Sequence, residues 1–409
     1  MPSFRKRSLR FGSVASVLAA MVLLAGCGMT EGPQTTFVAQ GSNARAILDL
    51  FKPVFWVGMA VFVIVEALLI WSVIRYRRRP EDGIPLQIHG NTPIEIAWTI
   101  LPAIIVVGIA TLTFRTQAQI ATVDPNPLEV TVIGHQWWWE FQYPEFGIVT
   151  ANELHIPANR EVRFSLRSDD VIHSFWFPRL SGKTDALPGH TNVITFKADE
   201  VGASTPIRGE CAEFCGGTHA MMAMWAVVDP QPAFDAWVAQ QQQQAALPAG
   251  ITPPAQATAA AGVAVGATVE ATTRSEDNAT GNEADVSTAA TVIATQTAQA
   301  EAGATATAAP PTSLEARGYQ LFTEKQCVAC HAISGYPNAV SRVGPNLTHV
   351  GGRQYIVAGW LENTPENMRR WLRNPDEVKP GNVMASVIKL GTLKDDEIEA
   401  LTAYLESLK

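Results

Sequence analysis

The chain opens with three apolar runs, and their lengths separate their roles. The first, 14–25, follows a basic start of Arg5, Lys6, Arg7 and Arg10. It is too short to cross a bilayer, which takes about 20 helical residues. The second and third, 53–74 and 94–114, are long enough and predict a two-helix transmembrane hairpin. Arg75, Arg77, Arg78 and Arg79 lie in the loop between them. Because basic loops stay on the cytoplasmic side, everything after Phe114 is expected on the outer face. Glu66 falls mid-span, where a charge is costly, and is expected to face a protein partner or to be protonated. Beyond the hairpin the pattern shifts to short apolar segments at 129–133, 138–143, 162–166, 193–196 and 225–228, punctuated by Pro, Gly and Asn. That spacing predicts a sandwich or small barrel. Residues 241–312 are rich in Gln, Ala and Thr with almost no aromatics and read as a linker, whereas 313–409 is helical in pattern and closes on an amphipathic stretch, 395–408.

Composition sharpens this picture. Apolar residues make up 47% of the 409 and charged residues 17%, which excludes full disorder and favours a membrane component. The net charge of −8 is uneven: 120–240 carries 7 basic against 15 acidic side chains, while 313–409 balances at 11 of each. No segment joins a basic surplus to a folded aromatic surface, so a nucleic-acid partner is disfavoured. The five cysteines fall into three groups with separate chemistries, and no disulfide need be invoked. Cys27 follows Leu24, Ala25 and Gly26, and this layout resembles a bacterial lipoprotein signal in which cleavage leaves a lipid-modified Cys27. The expected domains are thus a signal peptide (1–26), the hairpin (27–119), an outer β domain (120–240), the linker (241–312) and a helical domain (313–409).

Two constellations carry chemistry. Cys211-Ala-Glu-Phe-Cys215-Gly-Gly-Thr-His219-Ala-Met-Met222 packs two thiols, an imidazole and a thioether into twelve residues. Such soft to borderline donors favour copper over magnesium or calcium, although two cysteines and two histidines also suit tetrahedral zinc. Further on, Cys327-Val-Ala-Cys330-His331 is the attachment pattern of c-type haem, in which two thiols add to vinyl groups and the histidine ligates iron. Its chance occurrence in a chain of this composition is roughly one in a thousand.

The first constellation resembles the dinuclear copper loop of cytochrome c oxidase subunit II. The likeness extends to Asp170-Val-Ile-His173, to Lys183-Thr-Asp185-Ala-Leu-Pro188-Gly189, to Gly134-His-Gln-Trp137-Trp-Trp139 and to Glu95-Ile-Ala-Trp98 on the second helix, covering roughly 45–240. The resemblance implies a cupredoxin-like Greek-key sandwich in which Cys211 and Cys215 bridge two coppers and His173 and His219 each cap one. Met222 is then a weak ligand, Glu213 offers its backbone carbonyl, and the Glu213 carboxylate reaches a magnesium ion shared with the catalytic subunit. It also implies that electrons arrive at Trp137 and that Glu95 marks the mouth of a proton channel; the plainer reading of Glu95 is a helix-end carboxylate. If the tryptophans alternate along a strand, Trp137 and Trp139 share a face and Trp138 opposes them. His89, His135, His155 and His190 are expected at the surface or behind the ligands, and His349 is expected to be structural.

The second constellation resembles a class I cytochrome c, with Gly344-Pro345-Asn346-Leu347 beyond the haem motif and Lys379-Pro380-Gly381-Asn-Val-Met384 supplying the sixth ligand, Met384. Ala385 stands where that family commonly has proline, and Met368 is the fallback ligand. The implied whole is the electron-accepting subunit of a respiratory haem-copper oxidase, assembled with subunit I and other subunits in a bacterial cell membrane. It is fed by an outer cytochrome or other donor and holds no oxygen-reducing site of its own. The competing reading is a free-standing membrane-anchored electron carrier, against which Glu95 and 98–103 would have no purpose. A quinol oxidase subunit would lack the copper ligands, and a nitrous oxide reductase would need a propeller domain. Tethering by 72 linker residues, about 45 Å end to end if flexible, is expected to suffice for contact between the two outer domains.

Overall fold

The computed structural model describes residues 32–78, 83–84, 87, 89–200, 206–251 and 313–409. The export signal with Cys27, Arg79 of the basic loop, and 252–312 of the expected linker lie outside the described residues. Helices α1 (Ser42–Arg75) and α2 (Thr92–Ile120) contain the two apolar spans, and the rest of the chain buries none of either apolar window. Helices suit a bilayer because all their backbone groups are satisfied internally. Asn91 caps α2 by accepting from the Ile94 amide at 3.4 Å. The start of α1 is fastened to the outer domain: buried Asn43 donates to the Thr195 carbonyl at 2.7 Å and to Ser181 Oγ at 3.1 Å, and the Ala44 amide donates to the Leu180 carbonyl at 3.1 Å.

The outer β domain comprises β1 (Leu128–His135), β2 (Trp138–Tyr143), β3 (Ile148–Ala151), β4 (Glu153–Pro157), β5 (Glu161–Ser168), β6 (His173–Trp176), β7 (Thr184–Ala186), β8 (Asn192–Lys197), β9 (Ile207–Cys211) and β10 (Ala223–Asp229). They form two five-stranded sheets, ordered β3-β2-β1-β5-β8 and β4-β10-β9-β6-β7, with parallel pairs at β1·β5 and β10·β4. The result is a cupredoxin-like sandwich. Alternation works as expected in β1, where Leu128, Val130 and Val132 point inward while Glu129 is exposed. Between the sheets Phe141, Phe164, Phe175, Phe177 and Phe196 are fully buried, each worth roughly 1.5–3 kcal/mol of transfer free energy. The chain changes sheets at Asn152, whose φ of 62° suits asparagine and whose Oδ1 accepts from the Trp139 amide at 2.8 Å. Trp137 lies in the turn before β2, so the strand alternation expected of the three tryptophans starts only at Trp138. Helix α3 (Gln231–Gln241) then packs Phe234 and Val238 on the core.

The C-terminal domain holds α4 (Leu314–Glu324), a short hairpin of β11 (Tyr355–Ile356) and β12 (Leu361–Glu362), and helices α5 (Pro365–Arg373), α6 (Pro375–Val378), α7 (Val383–Val387) and α8 (Asp395–Ser407). Ser313 caps α4 by accepting from the Ala316 amide at 3.1 Å. The helices α4 and α8 cross at Gly318, where any Cβ would collide with the Ala400 carbonyl, so only glycine permits this approach. Leu321, Phe322, Met368, Leu401 and Tyr404 fill the core beneath.

The helical domain is seated on the sandwich rather than merely tied to it. Trp225 of β10 stacks on Tyr355, ring centroids 4.1 Å apart and planes 8° from parallel, and its Nε1 donates to the Gly359 carbonyl at 2.9 Å. The Ala223 amide donates to the Ala358 carbonyl at 3.1 Å, and the Gln354 amide donates to Glu153 Oε2 at 2.9 Å. Trp138 and Ala151 form a small buried cluster with Ala358. Gln243 and Ala245, at the start of the expected linker, also touch this domain: the Ala245 amide donates to the Ser334 carbonyl at 3.0 Å, and His349 Nε2 lies 3.2 Å from the Gln243 carbonyl.

Candidate metal centre and haem site

The loop after β9 folds back so that its donors meet the end of β6. Cys211 and Cys215 are buried with their sulfurs 3.8 Å apart. Nδ1 of His173 lies 3.9 Å from Cys211 Sγ, Nδ1 of His219 lies 3.5 Å from Cys215 Sγ, and Met222 Sδ lies 3.8 Å from Cys215 Sγ. The Glu213 carbonyl lies 3.3 Å from Cys211 Sγ, while the Glu213 side chain is exposed. All six copper-site residues expected from the sequence therefore converge. Gly134 makes room for the imidazole, because a Cβ there would lie 2.6 Å from His173 Cδ2.

Two thiols this close cannot both ionise readily. The Cys215 hydrogen bond is the largest influence on Cys211 and pulls its thiol well down, with help from His173, whereas Cys215 is pushed far up by the neighbouring thiolate and by burial. Burial alone would lower the His173 imidazole, but its bond to Asp170 and its proximity to Cys211 hold it above the ordinary value. Asp170 Oδ1 sits 2.7 Å from His173 Nε2, which fixes the ring so that Nδ1 faces the sulfurs. Asp170 and Gln136, whose Nε2 donates to the Cys215 carbonyl at 2.8 Å, take these supporting roles only from the fold. Trp137 stands beside them, Nε1 donating to the same carbonyl at 2.9 Å. Two thiolates, two imidazoles and a thioether in one buried cluster fit a soft dinuclear copper group.

In the helical domain Cys327 opens a short 3-10 turn and the His331 amide returns to the Cys327 carbonyl at 3.0 Å. His331 Nδ1 lies 2.8 Å from the Pro345 carbonyl, so only Nε2 is open to an axial ligand's role; burial holds this imidazole below its ordinary value. Met384 is half-buried on α7 and packs on the same core as Cys327, whereas Met368 is 3% exposed inside α5. Val340 and Val343, between the haem motif and Pro345, and Val383, Val387 and Leu390, around Met384, are exposed. An apolar macrocycle fits segments lined in this way.

Glu95 stands apart, at the opposite end of α2 from the sandwich, with Oε1 accepting from the Asn91 amide at 3.0 Å. His135 stacks on Trp138 at 4.2 Å. His155 departs from expectation: it is clasped between Asp229 at 2.8 Å and Glu153 at 3.1 Å, stacked on Trp237, and takes no part in the metal cluster. The demand for neutralising two buried carboxylates explains its position. His349 bridges the Gln243 and Lys409 carbonyls and is structural, as expected.

A soft-donor cluster at the rim of a cupredoxin-like sandwich, joined to a helical domain with a haem-attachment motif, defines a membrane-bound redox protein. Family profiles agree segment by segment: "Cytochrome C oxidase subunit II, transmembrane domain" matches 34–116, the corresponding periplasmic domain matches 148–229, and "Cytochrome c" matches 315–409. "Cytochrome c oxidase subunit 2" of Alkalihalophilus pseudofirmus is 32% identical across 95% of this chain and 94% of its own length. The protein of the same name from Bacillus sp. strain PS3 is 33% identical across 82% of this chain and 80% of its own. The crystal structure of the periplasmic domain of subunit II (CoxB) of Bradyrhizobium japonicum is 30% identical, covering 30% of this chain and 97% of that one, with a TM-score of 0.28. The chain belongs to the cytochrome c oxidase subunit II family, with a cytochrome c domain at its C-terminus.

Proposed function

We propose that the protein is subunit II of a respiratory haem-copper cytochrome c oxidase, relaying electrons from an outer donor through a covalently bound haem c to a dinuclear copper centre and on to the oxygen-reducing, proton-pumping subunit I. The convergence of Cys211, Cys215, His173, His219 and Met222 carries this reading. Cys211 and Cys215 would bridge the metals, His173 and His219 would each cap one, and Met222 and the Glu213 carbonyl would ligate weakly. Two coppers sharing two thiolates spread one charge over both ions, so little rearranges on oxidation. The chain's own residues hold that arrangement still: Asp170 orients His173, and Gln136 and Trp137 pin the Cys215 carbonyl. Cys327 and Cys330 would attach the haem, with His331 and Met384 as axial ligands. The exposed Glu213 carboxylate would reach a magnesium ion at subunit I, and Glu95 would open a proton path into that subunit. The chain would sit in a bacterial cell membrane by its two helices and a lipid on Cys27, with both redox domains outside. Copper loading of the full chain tests this: two coppers per chain with a delocalised mixed-valence spectrum are expected, lost in Cys211→Ser and retained with a shifted potential in Met222→Leu. One zinc per chain without that spectrum overturns the copper assignment, and failure to copurify with a multi-helix haem protein overturns the oxidase assignment.

A further inference from the structure

Lys379 has no part in the function just described, yet it is 4% exposed, and lysine is almost never so buried without a partner. Its Nζ crosses the domain boundary and donates to the Trp137 carbonyl at 2.6 Å. On the far side of Trp137 the indole Nε1 holds the Cys215 carbonyl at 2.9 Å. On the near side Lys379 belongs to a stiff turn. Buried Asn382 donates Nδ2 to the carbonyls of Pro375 at 3.0 Å and Lys379 at 2.5 Å. Its Oδ1 accepts from the Ala385 amide at 2.9 Å and so caps α7, the helix that carries Met384. Asp376 Oδ1 accepts from the Gly381 amide at 2.8 Å, closing the same turn. Hydrogen-bonded pieces therefore run without a gap from Cys215 through Trp137 and Lys379 to the Met384 helix.

We propose that Lys379 is a positioning residue: its amino group clamps the backbone of Trp137 to the turn that presents Met384, so that the seating of the haem domain and the orientation of the tryptophan beside Cys215 are set together. The proposal rests on the function proposed above. It assigns Lys379 a task separate from general adhesion, which the Trp225 and Tyr355 stack and the Ala223 and Gln354 amides already supply elsewhere on the interface. A buried amine is a costly way to add adhesion alone.

The test uses the full-length chain. Lys379→Met keeps the apolar stem and removes the donor. Hydrogen–deuterium exchange, which requires neither copper nor haem, is expected to accelerate at 136–139 and 215–217 while the Ala223 and Gln354 amides stay protected. In the loaded chain, haem-to-copper electron transfer is expected to slow roughly tenfold, the population change that follows loss of one strong hydrogen bond. The methionine-ligated haem spectrum and both midpoint potentials should hold. Lys379→Arg, which returns a donor, is expected to restore most of both losses. Unchanged exchange at 136–139 in Lys379→Met overturns the proposal, as does transfer at the wild-type rate. Equal loss of protection at Ala223 and Gln354 overturns it too, because Lys379 would then be an ordinary docking contact. Absence of haem or of dinuclear copper from the loaded chain counts instead against the proposed function, and the exchange result stands without it.

Discussion

Replacing Trp225 by alanine asks whether the cytochrome c domain is held by its interface or only by its tether. The side chain makes two contacts across the boundary, the stack on Tyr355 at 4.1 Å and the hydrogen bond to the Gly359 carbonyl at 2.9 Å; Arg208 of β9, in the sandwich itself, places its guanidinium 5.8 Å from the Trp225 ring and 5.6 Å from the Trp360 ring. The stack contributes about 0.5–1.5 kcal/mol beyond area burial and the hydrogen bond a similar amount. Trp225→Ala should therefore weaken seating by roughly 1–3 kcal/mol, which is about 5- to 140-fold in the ratio of seated to released domain. Two amides report that ratio directly, since Ala223 and Gln354 each donate across the boundary. Their exchange should accelerate by a comparable factor in the full chain, while amides within β5, far from the contact, keep wild-type protection. Small-angle scattering should show the molecule expand. Wild-type protection of both amides in Trp225→Ala would refute the argument, and tethering alone would then account for the domain's proximity.

Two further outcomes follow from groups that back the site or brace the sandwich. Asp170→Ala frees His173 Nε2 and should lower copper affinity roughly 10- to 100-fold in chelator competition, with unchanged affinity counting against an orienting role. Burial alone would depress the His155 imidazole, but its bonds to Asp229 and Glu153 raise it above the ordinary value. A group raised in the folded state contributes stability in full below its unfolded value of about 6.5 and loses it as pH climbs through the raised folded value. The urea midpoint of the full chain should fall over that window and that of His155→Gln should not; parallel curves would show that the clasped histidine is not the titrating group.

The parts of the fold legible in the sequence are those whose pattern is local. The two spans, β1 with its alternation, and the amphipathic α8 declare themselves because burial on one face repeats along one element. Strands β3, β4, β6, β7 and β9 have three to five residues each and were not expected, since so short a stretch shows too few alternations to stand above its turns. β6 and β9 hold His173 and Cys211, so their sequence is governed by the soft-donor cluster as much as by pleating. The convergence of the candidate metal residues was legible in two parts: the spacing within one loop groups the soft donors Cys211, Cys215, His219 and Met222, and the family resemblance adds His173 and Glu213. Lys379, Asp170 and the His155 clasp were not, because each takes its meaning from a partner brought close only by the finished fold; Lys379 and Trp137 stand 242 positions apart. The seated interface escaped for the same reason: Trp225 and Tyr355 look like ordinary aromatics until the two domains meet.

The attachment of α1 to the sandwich through Asn43 and Ala44 fixes a rotational phase. Because the helix runs unbroken from that anchor to Arg75, the azimuth and height of the whole outer body relative to the membrane segment follow from helix geometry. One residue added to α1 between the anchor and the bilayer would raise that body by about 1.5 Å and swing it by about 100°, carrying the two cysteines to a different side of the hairpin. Four added residues come back to within about 40° of the original heading, at the expense of about 6 Å of lift. The first stretch of α1 thus works as a spindle of set pitch, on which length can change only in steps close to a full turn if the Cys211 and Cys215 loop is to keep facing the same neighbour.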